Sequence, residues 1–400
     1  MIKKVIFFVL LFMFIYVTTF GIFMTEIFRI PAPIIFLGPL LVFYRHDIVR
    51  FEYGYTWVLF FIAVVFSTLI AEQDIASFIA FLIKLSCVII FFNFIIADSI
   101  KRLNLTIYIF ISILFFSGLI MLLDHQYNIA GIRSLLVASQ VTQSPSGISL
   151  TLFTFGYQMA ALTSFLLPFL ILYKKNWLLS LILMGLAICF IFFGMQRSVL
   201  VAFGAASLLF VLPYYKAKSI IMLLGLVVIV FIGQNYVDGF SSEKDQQNIL
   251  NKNVKQSNNN EDRSDLMTEN LKVIADYPFG LIFYNKSWNE VVQHNYVYKS
   301  GSGIITSHNA YLMFITYLGP LLGLLLLLLL YLKISQIIWH SFKHIKHEEN
   351  TMLVALSCGF LGVSINSFFH NEWLLSGSGP TLMLYFALLH LYNIKIKNLL

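Results

Sequence analysis

Apolar runs of roughly 17–25 residues recur along this chain, about the length of helix that crosses a hydrocarbon core. A helix pairs its own backbone N–H and C=O groups, so each run can lie in lipid without exposing polar backbone. Of 400 residues, 59% are apolar and 11% charged, against about a quarter charged in an ordinary soluble domain. The pattern predicts an all-α, polytopic membrane protein of about twelve transmembrane helices. They fall at 5–25, 30–44, 55–71, 77–97, 105–123, 148–173, 177–194, 199–215, 220–236, 308–332, 352–369 and 378–394. The second run is short and holds two prolines and a glycine, which predicts a kinked or re-entrant segment.

Basic residues set the orientation. Lys3/Lys4, Arg45/Arg50, Lys101/Arg102, Lys174/Lys175, Lys216/Lys218, Lys333/Lys343/Lys346 and Lys395/Lys397 occupy alternate loops. The short loops of the other face carry only Arg29, Arg133 and Arg197. This alternation follows the positive-inside rule and predicts both termini in the cytoplasm. It also accounts for the net charge of +7 without a nucleic-acid partner. The first run follows Lys3 and Lys4 with no small-residue cleavage site after it, as in a retained signal anchor. Cys87, Cys189 and Cys358 lie inside spans without metal-ligand or disulfide spacing.

The chain thus divides into nine helices (1–236), one large outside loop (237–306) between spans 9 and 10, and three further helices (307–400). A shorter outside loop covers 124–147. Within the large loop, 241–262 is rich in Asn, Gln, Ser and Lys, a composition that buries little apolar surface. From Arg263 onward Leu266, Asn270, Leu271, Ile274 and Ala275 recur at helical spacing, and Tyr277-Pro278-Phe279-Gly280 stops the helix. No internal repeat is evident, which weakens the inverted-repeat logic of many transporters.

Candidate chemistry concentrates on the outside face. Arg197 occupies the tight turn Gly194-Met195-Gln196-Arg197-Ser198. It either snorkels to lipid head groups or holds an anionic ligand such as a lipid diphosphate. Arg263 opens the loop helix after Glu261-Asp262, where those acids offer it a simple pairing. Arg133 is a loop arginine with no pattern around it, a structural residue or a weak substrate contact. Ser307-His308-Asn309 stands before the apolar run that continues past Gly319, Pro320 and Gly323 to Leu332. Ser307 and Asn309 are capping types, so one reading of His308 is as part of a cap. The other is as a base: an imidazole accepts a proton from an attacking hydroxyl near neutral pH, and a helix N-terminus attracts phosphate. Gly319 and Gly323, four apart, let another helix approach closely.

His370-Asn371-Glu372 ends the next span, as an interfacial polar cluster or an acceptor-binding one. His340, His344 and His347 lie in a cytoplasmic loop and read as a basic, membrane-surface linker. No Walker loop for ATP is present. No Asp-x-Asp pair occurs near the first outside loop, where a metal-dependent lipid-sugar transferase would need one; Glu72 and Asp74 are the nearest substitute. Lys84 is the one clear mid-span charge, whereas transporters usually hold ionisable groups at that depth.

These residues resemble the O-antigen ligase and O-antigen polymerase superfamily of bacterial envelope membrane proteins. His308-Asn309 with Gly319 and Gly323 is similar to that family's signature after its large periplasmic loop. Phe193-Gly194-Met195-Gln196-Arg197-Ser198 resembles its earlier turn, and Arg263 through Leu271 to Pro278-Phe279-Gly280 its loop helix. The resemblance implies transfer of a glycan from undecaprenyl diphosphate to an acceptor hydroxyl, at the periplasmic face of the inner membrane, without metal, nucleotide or other cofactor. Arg197 and Arg263 would hold the diphosphate, His308 would orient or deprotonate the acceptor, and Asn309, Arg133 and His370 are further substrate-binding candidates. Implied partners are the lipid-linked oligosaccharide, membrane lipid, a chain-length regulator and other polysaccharide assembly proteins. Both a polymerase, which joins repeat units, and a ligase, which moves the chain to lipid A-core, fit the signature; the expectation favours the polymerase. A transporter or flippase is the reading from another class.

Overall fold

A computed structural model describes residues 2–24, 30–46, 51–127, 129–173, 176–216, 218, 263–295, 299–300, 303–304, 307–370, 374–375 and 379–397. The ninth predicted span (220–236), the polar stretch 241–262, Arg29, Arg50, Lys174, Lys175 and Asn371-Glu372 lie outside them, and so does the side chain of Arg263.

The described chain is helical apart from one two-residue hairpin, Lys299–Ser300 paired with Gly303–Ile304. The helices in order are α1 (Ile2–Thr19), α2 (Pro33–Tyr44), α3 (Gly54–Val64, continued by a π-helical segment, Val65–Ile70) and α4 (Ile75–Ile90, continued likewise over Phe91–Ile96). Next come α5 (Ile100–Tyr127), α6 (Ala130–Val137), α7 (Leu152–Tyr173), α8 (Trp177–Phe193) and α9 (Arg197–Tyr215). After the large loop come α10 (Arg263–Asp276), α11 (Trp288–Asn295), α12 (Ala310–Leu318), α13 (Pro320–Lys343), α14 (Thr351–Asn366) and α15 (Gly379–Lys397).

Among the described residues six stretches are long and apolar enough to cross a membrane: α1, α4 with its π segment, α5, α7, α9 and α13. The helices α2, α3 with its π segment, and α8 are apolar but shorter. Burial sorts them. Helix α14 is buried on nearly all sides, with α7 and α9 packed against it, and α15 is buried along most of its length. Small residues make the α7–α14 contact close. A Cβ on Gly362 would strike Ala160 O and the Ser164 side chain, and one on Gly359 would press on Ala161 O at 3.2 Å. By contrast α13 turns Leu321, Leu324, Leu325 and Leu328 outward, where lipid removes the penalty that water would impose.

The sequence expects one helix from 308 to 332, and the structure breaks it. Gly319 adopts φ 80° and ψ 158°, a left-handed backbone that glycine reaches without steric cost, and Pro320 then opens α13 as its first residue. A Cβ on Gly323 would meet Ile315 Cα at 3.0 Å. In a continuous helix residues eight apart are separated by about 12 Å, so the chain folds sharply back at Gly319. Helix α12, nine residues long, is too short to span, and the crossing segment is Pro320–Lys343.

The loop subdomain docks on α12. Leu266, Val273, Leu281, Trp288, Val291, Val292 and Met313 form one buried cluster with Tyr277 and Tyr317 at its edge. Thr316 donates to Asn270 Oδ1 at 2.5 Å, and Asn270 Nδ2 lies 3.3 Å from Met313 sulfur. The inward stripe of α10 is therefore Leu266, Asn270 and Val273, while Leu271 is 56% exposed. That corrects the phase expected from Leu271, Ile274 and Ala275.

Candidate active site

Two helix N-termini meet at one end of the bundle, joined through His370. The turn before α9 places Met195 in the left-handed region (φ 57°) and Gln196 at the N-cap, with no side-chain cap bond. Arg197, the first helical residue, is exposed, and Ser198 behind it is buried. Ser198 Oγ and His370 Nε2 share a hydrogen bond of 2.7 Å. The backbone of the same histidine reaches α12: the Ala310 N–H donates to His370 O at 2.9 Å and to Ser367 O at 3.0 Å.

His308 directly precedes the α12 cap. Asn309 Oδ1 accepts from Leu312 N at 3.0 Å, which fixes it as a capping residue. His308 itself is left-handed, φ 51°, a conformation that costs a non-glycine residue on the order of 1 kcal/mol and is usually held only where its surroundings require it. Its ring lies nearly parallel to Phe153, centroids 6.4 Å apart, and Phe153 packs edge-on against His370 at 5.1 Å. One phenyl ring thus separates the two imidazoles.

The start of α10 comes to the same end. Its contacts with α12 run in the same order along both helices: Asn270 meets Met313 and Thr316, and Gly280 packs its backbone on Gly319. Arg263 lies seven residues before Asn270, or about 10 Å of helix, and Asn309 lies four to seven residues before Met313 and Thr316, or about 6–10 Å. The two helix starts therefore lie at similar levels.

Such a meeting of N-termini favours negative charge. Each points the positive end of its dipole there, and the Arg197 guanidinium adds a full charge at the mouth of α9. An anionic group held there would sit a short distance from the His308 imidazole.

Arg133 is placed elsewhere. It is fully buried, ion-paired to Asp124, and donates to Gly147 O at 2.8 Å, Ser144 Oγ at 2.8 Å and Gln143 O at 2.9 Å, with Ser146 also in contact. Burial pushes its pKa down while Asp124 opposes the shift. Its role here is to clamp loop 139–150, which Ser117 and Gln158 fasten to α5 and α7 through Ile148. The arrangement brings together the backbone positions of Arg197, His308, Asn309 and His370, sets the start of α10 level with the start of α12, and leaves Arg133 in its own clamp with Asp124. Reading the sequence overlooked Ser198 and Phe153; Ser198 stood in the Arg-Ser pair, but Phe153 gave no signal apart from its apolar run.

These elements define a multi-pass helical membrane protein with a polar site at one end of its bundle. A family model described as O-antigen ligase matches residues 182–328, which supports membership of the O-antigen ligase and polymerase superfamily. Arg197, Arg263 and His308 fall inside the matched stretch, and Arg133 and His370 outside it. Comparison with curated proteins found no match.

Proposed function

We propose that the chain is a glycosyltransferase of the bacterial inner membrane, acting on undecaprenyl-diphosphate-linked glycan at the periplasmic face with both termini cytoplasmic. The observation that carries this reading is the Ser198–His370–Ala310 bridge, which joins the Arg197 turn to the His308 turn although they are far apart in sequence. Arg197, the N–H groups at the start of α9 and Arg263 hold the diphosphate. His308 accepts the proton of the acceptor hydroxyl as its oxygen bonds to the anomeric carbon. The bond from that carbon to the diphosphate oxygen breaks, the charge passes to the diphosphate against the guanidinium groups, and the proton leaves to solvent. No metal enters these steps. The twelve-span layout, with a periplasmic loop domain over 237–306, belongs to the same reading.

Of the superfamily's two activities we take polymerase as the primary one, because that class is the more varied in sequence; the acceptor is then another lipid-linked repeat unit. The second is ligation of the chain to lipid A-core. Deleting the gene separates them. Loss of a polymerase leaves core bearing a single repeat unit, and loss of a ligase leaves bare core with lipid-linked polymer accumulating. In either case His308→Ala, expressed in the deletion strain at wild-type abundance, should reduce transfer by about 10²–10⁴-fold, the range of general-base catalysis. A full glycan ladder from that strain would refute the reading.

A further inference from the structure

The turn between α10 and α11 leaves two large apolar side chains uncovered on a firmly held frame. Phe279 is 70% exposed and Phe283 62%. Their neighbours are anchored: Leu281 is buried in the loop-subdomain cluster, Ile282 packs against the main core, and Gly280 lays its backbone on Gly319. The Phe283 N–H donates to Gly280 O at 3.1 Å and the Lys286 N–H to Leu281 O at 3.1 Å, which closes the turn. Two phenyl rings held out into water by such a frame would be unfavourable, and exposed apolar groups kept together mark a contact surface.

Helix α13 gives the level of this turn. A Cβ on Gly319 would overlap Phe279 O, so Phe279 sits beside the point where Pro320 opens the crossing helix. Trp339, 75% exposed, follows Pro320 by nineteen residues, about 29 Å of helix, close to the roughly 30 Å of a hydrocarbon core. Exposed tryptophan favours the membrane–water interface. Trp339 then marks one interface, and the Gly319 turn marks the other. Between them Leu324, Leu325 and Leu328 face lipid, and Leu321, 86% exposed, carries that surface to within two residues of Gly319. We infer that Phe279 and Phe283 continue it and dip into the leaflet on that side, so that lipid as well as α12 holds the loop subdomain. Tyr284, 40% exposed, and the exposed Lys286 suit the head-group layer just above. The bilayer is the occupant that the level selects, since a hydrocarbon boundary lies there whatever else binds. This inference needs only that α13 crosses the membrane. It does not rest on the glycosyltransferase reading and would survive its failure.

Phe279→Trp and Phe283→Trp test this with little disturbance, because both positions are exposed and leave room for a larger ring. Each full-length variant is placed in vesicles of phosphatidylethanolamine and phosphatidylglycerol, and the fluorescence gained over wild type reports the new indole. Two further variants calibrate it: Leu321→Trp on the lipid-facing stripe, and Lys272→Trp on the exposed, charged side of α10. The expected result is that both phenylalanine positions behave as Leu321→Trp does, quenched by lipids brominated high on the acyl chain and spared by aqueous iodide. Behaviour like that of Lys272→Trp, quenched by iodide and spared by bromine, would overturn the inference. Shielding from both quenchers, with Phe279→Cys cross-linking between two copies, would give the face to a second copy and overturn it equally. A measurement on the unaltered chain stands beside these: a phospholipid with a photoreactive group near the head of its acyl chain should label the peptide 277–286. Absence of that label, with α13 labelled in the same sample, would contradict the contact even if a tryptophan variant failed to fold.

Discussion

The two ends of the bundle differ in their polar groups, apart from the Arg133–Asp124 clamp, which is bonded as fully as the network at the basic end. At the end carrying the basic loops, Tyr53 OH donates to His390 Nδ1 at 2.6 Å and the opposite ring nitrogen donates to Ala97 O at 2.6 Å. Asn393 reaches Glu52 Oε2 at 3.2 Å, Asn93 and Glu52 exchange two bonds, and Arg102 donates to Tyr44 O and Ile95 O. At the other end the amides of Gln196 and Asn366 stand unmatched, His308 and Met195 hold left-handed backbones, and Arg197 is exposed. Matched polar groups fix a shape. On the proposed function, the basic end holds the architecture and the other end does the chemistry.

Two arginines sharpen this contrast most. Arg133→Ala leaves Asp124 buried without its counter-charge and should cost about 3–5 kcal/mol, read as a lower melting temperature in detergent. Arg197→Ala removes an exposed side chain and should change stability by no more than about 0.5 kcal/mol. Equal destabilisation by the two would erase the distinction between clamp and site.

Next in size is Gly319→Ala. A Cβ there would overlap Phe279 O, and φ 80° disfavours any side chain, so a loss of about 1–3 kcal/mol is expected. It should appear as faster proteolysis of the loop subdomain, while α13 stays in the membrane. A protease-resistant subdomain in this variant would show that the Gly280–Gly319 contact does not hold the loop on α12.

At the basic end Tyr53→Phe removes one hydroxyl from a closed network and should cost about 1 kcal/mol, with glycan transfer per folded molecule unchanged. A fall in transfer would mean that this end takes part in the chemistry.

The smallest effect is a pH dependence in the loop subdomain. Glu290 is held below the usual carboxylate range by hydrogen bonds from the Ser287 backbone and side chain. Its contribution is therefore present above the ordinary glutamate pKa and fades as pH falls through the lowered folded value. Hydrogen exchange over α11 should rise slightly on acidification in the wild type and change less in Glu290→Gln; identical profiles would remove Glu290 from the account.

Much of this architecture is legible in the sequence, because apolar length and basic loops report the solvent around each segment. Eleven of the twelve expected runs coincide with described helices or parts of them; the other, 220–236, lies outside the described residues. The break at Gly319 escaped because the leucine-rich run continues straight through it, leaving only the Gly-Pro pair to speak for a turn. On α10 Leu266 and Asn270 are buried as expected, but Val273 completes the inward stripe in place of Leu271, Ile274 and Ala275, because the docking partner is α12, whose Thr316 fixes Asn270. The links from Ser198 to His370 and from Phe153 to both histidines are tertiary, and hydrophobic periodicity carries no record of which turn meets which. Of the site, the sequence offered Arg197 and His308; the fold added what joins them.

The account depends on the Arg197 turn and the His308 turn facing one substrate. The most direct check is glycan transfer by purified Arg197→Ala protein in vesicles loaded with undecaprenyl-diphosphate-linked glycan, measured beside wild type at matched folded amounts. The account predicts transfer slowed by about 10²–10³-fold, the scale of losing one charge-stabilising group, at an unchanged melting temperature. Transfer at the wild-type rate by that folded variant would contradict it.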